Sequence, residues 1–169
     1  MVKNNHSNRG EIRWGPPSPF AGHMSVALAE ARAAYRRGEV PVGAAIADPK
    51  GQLIAATGNR VREYRDPTAH AEILAIRAAC KRVSSERLPG YHLYVTLEPC
   101  AMCATAISLA QIARLHYAAS DPKSGAIESG PRIFENRQIH HKPEIYVGTG
   151  EKEARGLLQD FFARLRKDS

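Results

Sequence analysis

Four residues in two short segments of the sequence could form a hydrolytic metal site. Cys100 and Cys103 are separated by two residues at the start of an expected helix, so both thiols lie on one helical face. The positive end of the helix dipole favours thiolates, the form that binds metal ions. His70 can add a neutral nitrogen ligand from the start of another expected helix. Three protein ligands leave one position of a tetrahedral zinc ion for water, as in a catalytic rather than a structural zinc site.

Glu72 offers a carboxylate that need not bind the metal. It follows His70 by two residues, and helix geometry at that spacing turns its side chain away from the ligand direction. Beside the open position, it could take a proton from the water and pass protons to a leaving group. The alternative is a solvated carboxylate that the dipole favours at a helix start. The neighbouring ligands favour the catalytic role.

Other uses of the cysteine pair fit the sequence less well. A CxxC pair also occurs in redox sites and as half of a zinc finger, but no thioredoxin-like βαβ pattern surrounds this one. A structural zinc site needs a fourth protein ligand, and the candidate histidines have no obvious pairing with the cysteines: His92, His116, His140 and His141. We expect His140 and His141 to be loop residues. Cys80 has no partner at ligand spacing and is predicted to be a small core residue.

An alternation of helices and strands is expected to position these residues. Hydrophobic periodicity predicts helices over residues 24–37, 69–83, 100–110 and 152–167. Apolar and β-branched runs bounded by turn residues predict strands over 40–47, 52–57, 91–97, 112–119 and 144–147. The resulting order, α-β-β-α-β-α-β-β-α, indicates an α/β domain with helices on both faces of one mixed sheet.

Length, composition and charge narrow the class of protein. The 169 residues are 43% hydrophobic, enough for one domain with a core, expected over 23–169. Residues 1–22 lack the apolar segment of a secretory signal and are expected to be a flexible leader. No apolar run approaches the roughly 20 residues of a membrane span, and the few cysteines favour a reducing cytoplasm over a secreted disulfide scaffold. The net charge of +7 raises the chance of a polyanionic partner.

The metal motif also carries a family resemblance. The pattern HxE at residues 70–72 followed by PCxxC at 99–103 is the signature of the zinc-dependent base deaminases. Further matches occur in the segments VPVGA (40–44), GNR (58–60), DPTAHAE (66–72), TLEPC (96–100), DPKSGA (121–126) and DFF (160–162). In these segments the chain, from about Met24 to its end, resembles the bacterial tRNA-specific adenosine deaminases of the cytidine/deoxycytidylate deaminase superfamily.

The resemblance implies a fold, a reaction and a partner. The implied fold is a three-layer α/β/α cytidine-deaminase-like fold with a central mixed five-stranded sheet. The implied reaction is hydrolytic deamination of the wobble adenosine to inosine in a tRNA anticodon loop, with Zn²⁺ as cofactor and Glu72 moving protons while ammonia leaves. The protein would act on the anticodon stem-loop as a homodimer in the cytoplasm, with no membrane partner.

The resemblance also assigns residues that would bind the substrate. Asn59 would hydrogen-bond the flipped base, the backbone amide of Ala71 would help to read its edge, and Val42 would line the pocket. All three residues lie within the matched segments 40–44, 58–60 and 66–72.

Contacts to the rest of the RNA are predicted from a loop and from the last helix. Asp121 and Lys123 match the loop that contacts the nucleotides flanking the target, although an Asp-Pro segment is also a plain turn. Phe161 and Phe162 would shape the base of the substrate groove, with ordinary core packing as the alternative. Six basic residues are candidates for phosphate contacts, which make affinity fall with salt: Arg60, Arg62, Arg65, Arg164, Arg166 and Lys167.

Two rival functions remain open at this point. The first is the same chemistry on a free base or nucleoside, such as guanine or cytosine, because the metal motif is shared across the superfamily. The second is a non-catalytic RNA-binding subunit that keeps zinc for stability. Glu72 argues against the second, since a structural site has no need of an unligated carboxylate.

Overall fold

One mixed six-stranded sheet organises the computed structural model, which describes residues 12–13 and 21–167. The strand order is β1-β6-β5-β4-β2-β3, in which β2 is antiparallel to β3 and β4, and the remaining pairs are parallel. The strands are β1 (Ile12–Arg13), β2 (Gly43–Ala47), β3 (Leu53–Gly58), β4 (His92–Leu97), β5 (Arg114–Ala119) and β6 (Glu144–Val147). The helices are α1 (Ala21–Arg36), α2 (Val61–Tyr64), α3 (Ala71–Val83), α4 (Ala101–Leu109) and α5 (Glu151–Lys167), with a 3-10 turn at Ile133–Glu135.

The predicted five-stranded mixed sheet is confirmed, and a sixth short strand extends it. The added strand, β1, pairs in parallel with β6 and falls inside the segment expected to be a leader. The rest of residues 1–20 lies outside the described residues. No helix among the described residues is long and apolar enough to cross a membrane.

Helices cover both faces of the sheet and divide the core into two clusters. On one face α1 and α5 pack against each other and against the sheet through residues such as Met24, Leu28 and Ala154. On the other face α3 and α4 bury alanines and Ile107 against the central strands. Cys80 packs at the edge of this second cluster, which confirms its predicted role in the core. These layers form the expected three-layer α/β/α architecture.

Small residues let α1 lie very close to the sheet. A Cβ atom added at Gly43, the first residue of β2, would lie 2.0 Å from the backbone oxygen of Ala27 in α1. Real side chains do not approach backbone so closely, so glycine is required at this contact. The alanine-rich sequence of α1 serves the same close packing.

The short helix α2 was not predicted, because a distant side chain stabilises its start. Residues 58–68 lie outside the predicted helices and strands, yet residues Val61–Tyr64 are helical. Oε1 of the buried Glu39 accepts the backbone N–H groups of Arg62 and Glu63, both at 2.9 Å. Such a cap satisfies helix-start donors that otherwise have no partner. It comes from more than twenty residues away in the chain, so a local sequence pattern does not reveal it.

Candidate metal centre and substrate pocket

The structure brings the three predicted metal ligands together. Nδ1 of His70 lies 3.7 Å from Sγ of Cys100 and 3.6 Å from Sγ of Cys103. A tetrahedral zinc ion with ordinary Zn–N and Zn–S bonds separates nitrogen and sulfur ligands by about 3.6 Å. Within the described part of the chain, no other group of three or more potential ligands lies close enough together to hold a metal ion. The donor set and its spacing therefore fit zinc.

Two helix starts place these ligands. His70 is the residue before α3 and Cys100 the residue before α4, and both have extended backbone angles. Each prediction of these helices began one or two residues early, because an extended capping residue precedes the first helical one. Cys103 follows in the first turn of α4 and is fully buried. The ligands thus sit where the positive ends of two helix dipoles meet, which favours thiolates.

The side chains of the cluster already polarise one another. The Cys103 thiol donates to Cys100 and, together with His70, lowers the pKa of Cys100 to about 4 despite burial. The same contact raises the pKa of the Cys103 thiol, and burial adds to this effect. His70 has a raised pKa because it interacts with Cys100. One negative charge is therefore stable among the side chains alone, and a cation would stabilise the second thiolate.

Glu72 lies in the first turn of α3, lines the pocket and is 4% exposed. Burial raises the pKa of its carboxyl group to about 7, although the positive charge of His70 opposes the shift. A group with a pKa near neutrality can both accept and donate a proton. Glu72 does not belong to the ligand group of the described residues. The geometry therefore places a buried carboxylate, suited to proton transfer, beside but not within the metal site.

A pocket of about 290 Å³ opens over the metal centre. Its wall contains two of the ligands, His70 and Cys100, together with Glu72. The other lining residues come from four parts of the chain: Glu39, Val40, Val42, Asn59, Val61, Arg62, Leu97, Glu98, Asp121 and Ser124. Apolar and polar groups thus surround a concave site of the kind that holds a small ligand or a base.

The three residues predicted to bind the base are linked to one another. Val42 and Asn59 line the pocket, and the backbone of Asn59 donates to the carbonyl of Val42 at 3.0 Å. The backbone amide of Ala71 donates to Oδ1 of Asn59 at 2.8 Å. That amide is therefore engaged in the protein, and it orients Asn59 so that the side-chain NH₂ group is left to donate to a ligand. Direct contacts of Asn59 and Ala71 with a base stay predictions.

The 121–125 loop is both a turn and a part of the pocket. Oδ1 of Asp121 accepts the backbone N–H groups of Lys123 and Ser124, both at 3.1 Å, which is a local turn bond. Asp121 nevertheless lines the pocket, whereas Lys123 is exposed and outside the lining set. Contacts from these two residues to flanking nucleotides stay predictions.

The two phenylalanines of α5 face different surroundings. Phe161 is buried and makes edge-on ring contacts with Tyr35 and Phe162. Phe162 is 43% exposed. Neither lines the pocket, so core packing describes Phe161, and a role of either residue in a substrate groove stays a prediction.

Sequence reasoning passed over two buried carboxylates that line the pocket, Glu39 and Glu98. Both are 2% exposed. Glu98 lies in a matched segment, but the sequence suggested no role for it. Burial raises the pKa of its carboxyl group, but backbone hydrogen bonds from Ser129, Asp121 and others lower it by more, so the net pKa is below its usual value. The sequence signal that could have identified them is a carboxylate beside apolar residues. When such a carboxylate is buried, hydrogen-bond donors must surround it. His140 and His141 lie in the loop before β6, as predicted, and outside the ligand group.

Comparison with known proteins agrees with the site. Residues 20–119 match the family model of the cytidine and deoxycytidylate deaminase zinc-binding region. The tRNA-specific adenosine deaminase of Agrobacterium fabrum is 54% identical over 145 residues, covering 86% of this chain and 95% of the relative. The enzyme of the same name from Aquifex aeolicus is 44% identical, covering 86% and 95%.

Solved structures show the same similarity. One from studies of A-to-I editing by tRNA:A34 deaminases at the wobble position superposes with a TM-score of 0.80 at 55% identity, covering 81% of this chain and 99% of that one. A guanine deaminase from Nitrosomonas europaea superposes with a TM-score of 0.72 at 26% identity, covering 92% and 89%.

The fold and the His-Cys-Cys centre define a zinc-dependent deaminase, a hydrolytic enzyme, with Zn²⁺ as its cofactor. Identities well above 30% across nearly the whole length of the relatives then place the chain more narrowly. It belongs to the family of the tRNA-specific adenosine deaminases.

Proposed function

We propose that this enzyme converts the wobble adenosine of a tRNA anticodon loop to inosine by hydrolysis. The observation that carries the proposal is the buried Glu72 beside the His70, Cys100 and Cys103 cluster, in a pocket large enough for one base. The names of its relatives supply the substrate class. An adenosine within a loop would have to leave the base stack to enter the pocket.

The residues of the chain divide the work of this reaction. A bound zinc ion would supply the Lewis acidity that makes water nucleophilic near neutral pH. Glu72 takes a proton from the attacking water and delivers it to the amino group, so that adenosine and water give inosine and ammonia. Asn59, held by the amide of Ala71, presents its NH₂ group to the base. Val42 supports the apolar face of the base, and burial keeps bulk water away from Glu72.

Basic residues at the pocket mouth support a nucleic-acid substrate. Arg62 lines the pocket and is exposed, and Arg60 and Arg65 flank α2, which forms this side of the mouth. The chain carries a net charge of +7. Phosphate contacts from such residues make RNA affinity depend steeply on salt, which a free base would not show.

We further propose the anticodon stem-loop as the minimal substrate, a homodimer as the active form and the cytoplasm as the location. Leu109, at the end of α4, is 74% exposed, which supports a protein neighbour on that surface. Tyr64, in α2, is another exposed large hydrophobic side chain. Light scattering of the purified protein coupled to gel filtration measures the dimer directly, and a mass of one chain would contradict it.

The zinc-loaded enzyme can be incubated with an anticodon stem-loop and, separately, with guanine. We expect inosine in the RNA after nuclease digestion, and no ammonia from guanine. Ammonia from guanine without inosine in the RNA would overturn the proposal in favour of a free-base deaminase, the activity of the more distant structural relatives.

Glu72→Gln separates catalysis from zinc-stabilised RNA binding. We expect the variant to keep its zinc and its fold and to lose about 10²- to 10⁴-fold in kcat, the usual contribution of a proton-transfer group. The control is Glu86→Gln, which changes an exposed carboxylate and should act as the wild type does. Unchanged turnover in Glu72→Gln would remove Glu72 from the mechanism.

A further inference from the structure

Glu98 binds two separate parts of one loop through a single carboxylate. Oε1 accepts the backbone N–H groups of Ile127, Glu128 and Ser129 at 2.9 to 3.0 Å. Oε2 accepts the backbone N–H of Asp121 and the hydroxyl of Ser129, both at 2.9 Å. A carboxylate has about four lone-pair sites for such bonds, so this one is saturated by donors.

The loop closed by this carboxylate, residues 121–129, lies directly on the metal-site turn. A Cβ atom added at Gly125 would lie 2.4 Å from Cδ of Glu98, so the loop touches the carboxylate between its two anchored ends. Gly125 also pairs with the ligand Cys100 in an isolated antiparallel bridge. The N–H of Ala126 donates to the carbonyl of Pro99 at 2.9 Å. The loop is therefore held against the segment that carries the cysteines.

This loop forms one wall of the pocket. Asp121 and Ser124 line the cavity beside Glu98 itself. Asp121 lies at the anchored end where Oε2 holds its backbone amide. The Asp121 N–H thus ties the start of the loop to Glu98, while local bonds to its side chain and carbonyl shape the turn that follows.

We propose that Glu98 is a positioning residue for the substrate, which it serves by clamping Asp121 and the 121–129 loop in the pocket wall. The inference rests on the proposed function for the identity of the substrate. Glu98 acts on the reaction through the loop and not through proton transfer, because its oxygens are occupied by five donors. A loss of this clamp should weaken substrate binding more than it slows the chemical step.

Replacement by glutamine isolates one of the five bonds. The carboxamide oxygen can take the place of Oε1 and keep its three backbone donors. In the reverse orientation the NH₂ group would face three N–H groups, and none of these donors would have an acceptor. The NH₂ group then replaces Oε2. The Ser129 hydroxyl can turn to accept from it, but the amide of Asp121 cannot, since an N–H group is only a donor. Glu98→Gln should therefore release the Asp121 end of the loop and keep the other end.

The test compares KM and kcat for the anticodon stem-loop in zinc-loaded wild type and Glu98→Gln. We expect KM to rise about 5- to 150-fold, the range that the loss of one partner of an amide corresponds to, with kcat and zinc content within twofold of the wild type. The matched control is Glu128→Gln in the same loop. Glu128 accepts the hydroxyl of Tyr117, a bond that a carboxamide oxygen preserves, so its KM should stay at the wild-type value.

Several results would overturn the assignment. A merely structural role would lower the melting temperature and the active fraction, so kcat would fall while KM stayed constant. Loss of zinc from Glu98→Gln would show that the residue acts through the metal centre instead. A KM within twofold of the wild type would show that the Asp121 anchor does not matter.

A second variant tests the same clamp from the loop side if Glu98→Gln does not fold. Gly125→Ala keeps Glu98 and pushes the loop away from it through the added Cβ, and it should produce the same rise in KM with zinc retained. Turnover of the stem-loop by the wild type tests the proposed function separately. If the wild type makes no inosine and acts on guanine, the function is wrong, and the same KM comparison on guanine still decides the role of Glu98.

Discussion

His116 should make the stability of this protein fall at mildly acidic pH. The residue lies in β5 and is 6% exposed, with its ring stacked between Tyr94 at 4.4 Å and Tyr146 at 4.8 Å between centroids. Among the described residues, no hydrogen-bond partner reaches its buried Nε2 atom. Burial, with smaller contributions from the nearby His92 and Arg114, lowers the pKa of His116 from 6.5 to about 3, and Glu144 opposes this shift.

The sign follows from the two states of the chain. Folded His116 stays neutral down to pH values near 3, whereas the same residue in the unfolded chain takes up a proton below about 6.5. The free energy of unfolding therefore has its full contribution from His116 above pH 6.5 and loses it progressively as the pH falls. Between pH 7.5 and pH 5, protonation of the unfolded state lowers the free energy of unfolding by about 2 kcal/mol.

His116→Phe should remove this dependence, because phenylalanine keeps the stacked ring and has no titrating group. The assay is urea denaturation of both proteins at pH 7.5, 6.5, 5.5 and 5, with the free energy of unfolding obtained from each curve. Other titrating groups are common to both proteins, so the difference isolates His116. Between pH 7.5 and 5 the variant should lose about 2 kcal/mol less than the wild type. His140→Phe, in an exposed loop, is the control and should behave as the wild type does.

Equal losses in His116→Phe and wild type would refute the reasoning. They would mean that folded His116 takes up its proton at the same pH as in the unfolded chain, as a ring open to solvent does. A loss in the control that matched the variant would show that ring substitution itself, and not burial of the histidine, changes the pH dependence.

The remaining predictions concern the metal and the packing of α1. Cys103→Ala should release zinc, as measured by elemental analysis of the dialysed protein. The control Cys80→Ala, outside the ligand group of the described residues, should keep its zinc. A full zinc content in Cys103→Ala would remove Cys103 from the ligand set. Gly43→Ala places a Cβ atom 2.0 Å from the Ala27 backbone oxygen and should destabilise the fold by about 3 kcal/mol or more in thermal melts. Gly156→Ala, where a Cβ meets nothing within 4 Å in α5, should stabilise by about 0.5–1 kcal/mol, and equal melting of the two variants would contradict the close α1 contact.

Local patterns were sufficient to choose the candidate residues of the metal site and to predict most of the helices and strands. Cys100 and Cys103 lie within one helical turn, so their shared face follows from spacing alone. Glu72 could be separated from the ligands in the same way, since it is two residues from His70. The five predicted strands and four long helices followed from hydrophobic periodicity, which depends on neighbours in sequence.

Other features depended on side chains that meet across the fold. The helix α2 begins where it does because Glu39 accepts its first N–H groups from 23 and 24 residues away. The loop at Asp121 is held by Glu98, and the Ala71 amide is taken by Asn59. Hydrophobic periodicity does not predict these hydrogen bonds, because a buried donor or acceptor meets its partner only when the chain folds.

The sequence by itself therefore determined two local pairs, Cys100 with Cys103 and His70 with Glu72, each set by spacing within a helical turn. The tertiary structure brought the two pairs together into one cluster. The tertiary structure also decided the shape and polarity of the pocket around that cluster, including the saturation of Glu98, the orientation of Asn59 and the division of Phe161 and Phe162 between core and surface. The physical reason is the distance along the sequence between the residues that interact. Spacing within each pair is local, whereas a buried polar group must find its hydrogen-bond partners among distant residues that the fold brings near.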